Sequence, residues 1–334
     1  MTSLRFIAYC LLPIAYCLLS SSNSFAHPGI GIVCDSHGNI FYTDLKNIYK
    51  ISPDGKKSIA VEHVHSHELY LDEDDNLFGE HLWYNGEKLN TWGYYVWCLK
   101  SDGKLVKIKE PTEGFRSDYS FLQDSLGNMY WIERFTVSRF KKKTTDGTIT
   151  TVAEGKFRDI RWSYCTKKGI FYFLDLDKLY KLTPDGRFIL LAEKLNETTP
   201  AFGFIGERHN AYGIWTDNKE NIYVALHGGQ RVKRISPGGK IETVYYSAAP
   251  WSPTSGVFDK QGNLWLLEYT ITASCRVIKV AGTKILPIQP TAGNYLLNNV
   301  LPLIIITLIL LFCFLLLRKV FRSIRVVRNK VGKL

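Results

Sequence analysis

From Asp35 onward the chain alternates short apolar runs with polar turns, a period suited to strands rather than helices. The stretch DSHGNIFYTDLKNIYKISPDGK (35–56) reads as polar turn, strand, break, strand and tight turn. Ile40-Phe41-Tyr42-Thr43 is β-branched and aromatic and suits a half-buried pleated surface; Asn47 to Ile51 is a second run, and Pro53-Asp54-Gly55 is a hairpin signal. A unit this small cannot bury its own apolar face, so it requires stacked copies.

The copies are present. The polar turn and its strand return as DEDDNLFGE (72–80), DSLGNMYWIE (124–133), TKKGIFYFLD (166–175), DNKENIYVAL (217–226) and DKQGNLWLLE (259–268). A second turn follows each, around Gly103, Gly147, Gly186, Gly239 and, degenerate, Gly282. From Asn39 to Asn76, Asn128, Ile170, Asn221 and Asn263 the steps are 37, 52, 42, 51 and 42 residues. Such spacing, with four short strands per step, predicts an all-β, six-bladed propeller over residues 27–290. There is no spare strand for exchange between the first and last blades, so ring closure is expected to rest on side-chain packing between them.

The ends change the picture. Residues 1–26 read as a signal peptide, with Arg5 as charged region, Phe6 to Leu19 as apolar region and Ser24-Phe25-Ala26 as cleavage site; an uncleaved anchor is the alternative. Tyr295 to Leu317 carries no charge and is long enough for a ~30 Å hydrocarbon core. Seven basic residues and no acid follow in 318–334, which predicts a cytoplasmic C-terminus and a propeller outside the cytoplasm. The tail reads as a stop-transfer anchor or as an amphipathic helix on anionic lipid. The net charge of +11 then loses its apparent meaning. Of 42 basic residues, seven lie in the tail and one is Arg5, leaving 34 against 31 acidic ones. A nucleic-acid-binding surface is not indicated. Cys34, Cys98, Cys165 and Cys275 belong to the propeller, and the repeat register makes no two of them neighbours; free thiols are expected rather than bridges.

Propeller geometry decides which side chains can meet. First strands begin, and second strands end, on one face around the central channel. That face receives His27, His65, His67, His81, His209 and His227, six of the eight histidines, and His37 falls on the other. Glu68, Glu80, Glu133, Asp175, Glu268 and Asn210 join them. Two insertions, Leu82 to Gly93 and Leu195 to Arg208, open on the same side and bring Trp83 and Tyr84. The face is read as a site for a small-molecule or protein ligand, although each tryptophan could equally pack between blades. His65 and His67, two apart on a strand, project together, and His81 returns beside them. Three histidines with a carboxylate could hold a divalent metal (zinc, calcium or copper), with Glu68 or Glu80 as general base; a hydrogen-bonded polar rim would use the same residues without metal. His27, if it becomes the N-terminus, could chelate copper by itself.

Strings such as GNIFYTDLKNIYKISPDGK and ENIYVALHGGQRVKRISPGGK resemble NHL repeats and gluconolactonase-like propellers, over roughly Gly29 to Ile288. The resemblance implies the six-bladed fold. For a gluconolactonase it also implies a Glu, Asn and Asp around a divalent ion, for which Glu68, Asn210 and Asp259 are the nearest types here; the register puts Asp259 on the far face, and His27-Pro28 stands where the family's Glu would open blade 1. The rim is also similar in composition to the three-histidine zinc site of the peptidyl-hydroxyglycine amidating lyase. Two functions therefore stand: a membrane-anchored binding propeller, or a metal-dependent lactonase or lyase using the same face.

Overall fold

In five blades an Asp–Asn turn joins the first strand to the second by satisfying backbone groups that would otherwise be left unpaired. Asp35 Oδ1 accepts the N–H groups of His37 and Asn39 at 3.0 and 2.7 Å, and Oδ2 accepts the Asn39 amide at 2.6 Å. The same set recurs at Asp72–Asn76, Asp124–Asn128, Asp217–Asn221 and Asp259–Asn263. Blade 4 has neither residue and uses the Thr166 hydroxyl, which accepts the Ile170 N–H at 3.0 Å. The position before each Asn, and before Ile170 in blade 4, is left-handed, at Gly38, Asp75, Gly127, Gly169, Glu220 and Gly262, which is why glycine usually fills it.

The computed structural model describes residues 28–114, 119–202 and 205–280. They form six antiparallel sheets in sequence order, as the repeat predicts. Blade 1 is β1 (Ile32–Cys34), β2 (Ile40–Thr43), β3 (Ile48–Ile51) and β4 (Lys57–Val61). Blade 2 is β5 (Leu69–Leu71), β6 (Leu77–Tyr84), β7 (Trp92–Leu99) and β8 (Leu105–Glu113). Blade 3 has β9 (Met129–Glu133), β10 (Ser138–Lys143) and β11 (Ile149–Gly155), with Gln123 bridging to Met129 at the inner position. Blade 4 is β12 (Ile160–Cys165), β13 (Phe171–Asp175), β14 (Lys178–Leu182) and β15 (Phe188–Ala192); blade 5 is β16 (Ala211–Thr216), β17 (Ile222–Leu226), β18 (Arg231–Ile235) and β19 (Ile241–Tyr246). Blade 6 is β20 (Ser252–Phe258), β21 (Leu264–Tyr269) and β22 (Cys275–Val280). The predicted signal peptide, His27, the predicted span at 295–317 and the basic tail lie outside the described residues. Among the described residues no helix is long and apolar enough to cross a membrane.

Apolar layers between blades supply the stability. Between blades 3 and 4, Phe140 meets Phe157, Phe171, Phe173 and Phe188 with ring centroids 4.8–5.9 Å apart; such pairs add ~0.5–1.5 kcal/mol each beyond the area buried. Closure follows the expectation. Among the described residues no strand of blade 1 pairs with one of blade 6. Instead Ile32, Ile40 and Tyr42 pack on Leu267 and Tyr269, the Thr254 hydroxyl donates to Gly29 O at 2.8 Å, and the Tyr269 hydroxyl donates to Thr43 O at 2.8 Å. Cys34, Cys98, Cys165 and Cys275 are free. One expectation needs correction: Leu82 to Gly93 is not a loop throughout, since β6 and β7 stay paired to Tyr84↔Trp92 and only residues 85–91 lie outside the strands.

Asp124 accepts hydrogen bonds from Asn128, Leu126 N–H and, at 2.8 Å, the Tyr130 hydroxyl. Asp124→Ala should therefore lower the unfolding free energy by about 3 kcal/mol, read as an earlier urea midpoint. Asp54→Ala, in an exposed second turn, should leave the midpoint unchanged.

Candidate functional site

Each first strand runs to the Asp–Asn turn on the far face and each second strand returns, so the residues ahead of β5, β12, β16 and β20 share a rim with those closing β6, β9, β13, β17 and β21. Contacts between neighbouring blades hold this rim together. His67 O accepts the N–H groups of Ile30 and Gly31 at 2.9 and 2.8 Å, and the Ser252 hydroxyl donates to His227 O at 2.5 Å. His37 is on the opposite face, 3.3 Å from Asp75 of the next turn.

The rim does carry His65, His67, His81, His209 and His227, but in two groups. The first three belong to blade 2 and the last two to blade 5, on opposite sides of a six-membered ring. Nor do the first three make a metal centre. His81 Nδ1 already accepts the His65 N–H at 3.1 Å, so its lone pair is taken, and its ring stacks on Tyr95 at 5.0 Å. The His65 and His67 rings meet edge-on at 4.7 Å. Burial holds both His65 and His81 below the usual histidine range, with the neighbouring His65 ring adding to the effect on His81. Among the described residues no group of three or more His, Cys, Asp or Glu side chains could hold a metal ion.

The carboxylates also turn out to be mostly structural. Glu80 is 1 % exposed, and its Oε1 accepts the His67 N–H at 2.9 Å, so it anchors β5 rather than facing solvent as a base. Glu268 is fully buried; it accepts from Arg276 Nε at 2.7 Å and from the Ser247 and Tyr245 hydroxyls. Buried Asp175 accepts the Asp159 N–H at 2.7 Å. Glu133 closes β9 opposite Arg139. Glu68 alone of these lines the channel.

Asn210 is sealed off as well. Its amide donates to Glu197 O at 2.9 Å and accepts the Glu197 N–H at 3.3 Å, pinning the inserted segment over blade 5. Glycine at 228 makes this possible, since a Cβ there would lie 2.3 Å from Asn210 Nδ2. The gluconolactonase-like set of Glu68, Asn210 and Asp259 therefore does not assemble: Asp259 holds the far-face turn and Asn210 is consumed. Trp83 and Tyr84 ride on the extended β6–β7 hairpin, where Tyr84 packs at a tilt against Trp92 with centroids 4.7 Å apart and donates to Asn90 at 3.2 Å. Neither lines the channel cavity.

Basic residues were the part of the rim that histidine and carboxylate spacing did not reveal. Blades 4, 5 and 6 each bulge where the inner strand leaves the rim, between Ile160 and Ser163, Ala211 and Ile214, and Pro253 and Ser255. Bulges of this kind re-aim side chains beside sites. They present Arg161, Trp162 and Tyr212. Arg161 Nε is 3.1 Å and Arg208 Nε 2.5 Å from Asp159 Oδ2, and Arg134 Nη2 reaches Arg161 O at 3.4 Å. Crowding by protein atoms lowers the Arg134 pKa, and Arg161 adds to it, against the pull of Glu68 and Asp159. Placing Lys and Arg on the same register as the histidines would have found all three.

Below the rim lies the channel, a cavity of about 500 Å³. It runs from Ile30 and Glu68 past Tyr70, Tyr164 and Trp215 to Asp72, Asp75 and Lys260 at the far turns. Cys34 and Cys165 line it, and burial pushes their thiols up to about 11 and about 12, so both are protonated at neutral pH.

His227 is 4 % exposed, wedged between Phe202 and Tyr212, and its Nδ1 has no partner. Burial pushes its pKa down to about 4, and the nearby His209 adds to this, against the Ser252 and Pro253 backbone. A depressed histidine is neutral in the fold but protonates readily once unfolded. Its contribution is complete above the unfolded value near 6.5 and is lost as pH falls toward about 4. At most about 3 kcal/mol is involved. His227→Gln should flatten the decline of melting temperature between neutral and mildly acid pH, leaving a residue of slope from His65 and His81.

No protein-family model matches the chain, and no curated protein matches it. Solved structures do. A luciferin-regenerating enzyme superposes with TM-score 0.52 at 12% identity, over 79% of this chain and 94% of its own. The gluconolactonase XC5397 from Xanthomonas campestris gives 0.52 at 9%, over 76% and 87%, and a glucose dehydrogenase 0.51 at 11%, over 78% and 97%. At these identities the likeness is one of fold: this chain has the six-bladed propeller architecture of the gluconolactonase-like proteins.

Proposed function

We propose that this chain is an exported, membrane-tethered propeller that binds a small molecule at the mouth of its central channel, on the face where the first strands begin. The observation that carries this is the channel itself. Its volume of about 500 Å³ falls within the roughly 300–1,000 Å³ of small-molecule sites, and Tyr70, Tyr164 and Trp215 give it aromatic walls beside polar groups such as Glu68, Gln123 and Ser163. The metal-dependent lactonase or lyase reading is not favoured, because neither His65, His67 and His81 nor Glu68, Asn210 and Asp259 form a ligand set here. The solved neighbours include a gluconolactonase, and that activity belongs to the neighbour.

Two experiments test the proposal. Compounds that raise the melting temperature of the full chain should lose that effect when Ser163, on the channel wall, is replaced in Ser163→Phe. Equal shifts in a plugged variant that still melts cooperatively would place binding elsewhere. Deleting residues 295–334 should move the protein from the membrane to the soluble exported fraction; retention on the membrane would remove the tether from the proposal.

A further inference from the structure

We infer that the rim is an oxyanion clamp, in which Arg134, Arg161 and Arg208, from three consecutive blades, take a small molecule bearing a carboxylate or phosphate. This rests on the reading that the channel mouth binds a ligand, and it names the chemistry of that ligand.

Three guanidinium groups converge where the structure supplies one carboxylate within contact. Arg208 Nε is bonded to Asp159 Oδ2 at 2.5 Å, and that same oxygen lies 3.1 Å from Arg161 Nε. Yet Arg161 Nε is buried and makes no hydrogen bond, because its N–H is not aimed at the oxygen. Arg134 goes further: among the described residues it has no ion pair, only a long 3.4 Å bond to a main-chain carbonyl. Glu68 of the neighbouring blade and Asp159 act on it electrostatically without contact, and Arg161 repels it. Arg158 is not available to the cluster, being turned to Glu207 at 3.4 Å. A rim meant only to stitch blades together would need Arg208 and Asp159 alone.

The fork of donors on each guanidinium matches the two oxygens of a carboxylate or phosphate. An anion seated between Arg134 and the exposed part of the Arg161 guanidinium would pair with the open Arg134 fork and relieve the repulsion between the two cations; the sealed Arg161 Nε itself stays out of reach. The surroundings suit an organic acid. Trp162 lies against Tyr212 with centroids 5.2 Å apart, and the Tyr212 hydroxyl is 3.4 Å from His209 Nδ1. An anion held there leaves the rest of the molecule pointing toward the aromatic wall and channel.

Calorimetric titration of the full chain in neutral detergent at low salt tests this, with citrate and inorganic phosphate as probes. Saturable binding of at least one, weakened roughly tenfold by Arg134→Gln and less by Arg134→Lys with melting temperature unchanged, is expected. Added chloride should weaken it too. Failure of both probes to bind, or an Arg134→Gln variant that binds like the parent, overturns the clamp. Uncharged compounds that bind and are lost in Ser163→Phe, in a protein that takes neither anion, would leave the channel reading standing while ending this one.

Discussion

In five of the six blades an aspartate, buried in three and half-buried at Asp72 and Asp217, accepts two backbone N–H groups and an asparagine amide, and this carboxylate is what the rest of the disc depends on. A tight turn at the inner hairpin leaves main-chain donors facing protein rather than water, where each would cost on the order of 1–3 kcal/mol unpaired. One side chain satisfies them together. Burial alone would raise the carboxyl pKa, as at Asp124 and Asp259, but the hydrogen bonds outweigh it and hold both below the usual range. The charge is thus kept at neutral pH, and the turn sets the first and second strands antiparallel through contacts internal to the blade. Because those turns lie on the far face, they also decide which ends of the strands are free to carry chemistry.

That is why the architecture was legible in the sequence. Asp and Asn at fixed offset, with Gly in the left-handed position between, are local requirements of the turn, and they survive in the text wherever the turn survives. Blade 4 shows the limit: Thr166 does part of the work of the aspartate, and only Gly169 and the strand after it keep the repeat visible. The length of the blade 2 hairpin was less legible, because Leu82 to Gly93 mixes Trp and Tyr with Asn, Gly and Lys as a loop would. Trp83 packed over Gly93, where a Cβ would lie 2.1 Å from the indole, is a tertiary contact that no local pattern announces.

The rim was half legible. Register placed His65, His67, His81, His209 and His227 on one face, and the contacts agree. What register cannot give is the angle around the ring or the depth of each side chain. Blades 2 and 5 face each other across the channel, so histidines that share a face do not share a centre. Depth separates Glu68, which lines the channel, from Glu80, which is spent on a backbone N–H. Polar residues at strand ends are common here because the blades must be joined to one another. Thr43, Glu80, Asp175 and Thr254 each satisfy a main-chain group of a strand beginning at the rim.

This gives a physical criterion for telling rim residues that join blades from rim residues that face a ligand. A joining group has its polar atoms directed at backbone on a neighbouring strand and is sealed from solvent, as Asn210 is by Glu197. A ligand-facing group keeps unused donors or acceptors in a concave, accessible place. Judged this way, most of the histidines and acids belong to the first kind and Arg134 to the second, with Arg161 beside it sealed at Nε and exposed only at the rest of its guanidinium. The bulge in β12 is the structural reason: it turns two consecutive residues out of the ladder at the rim end of the strand. A strand that kept its register there would have sent Arg161 and Trp162 to opposite faces of the blade, and three guanidinium groups would not meet.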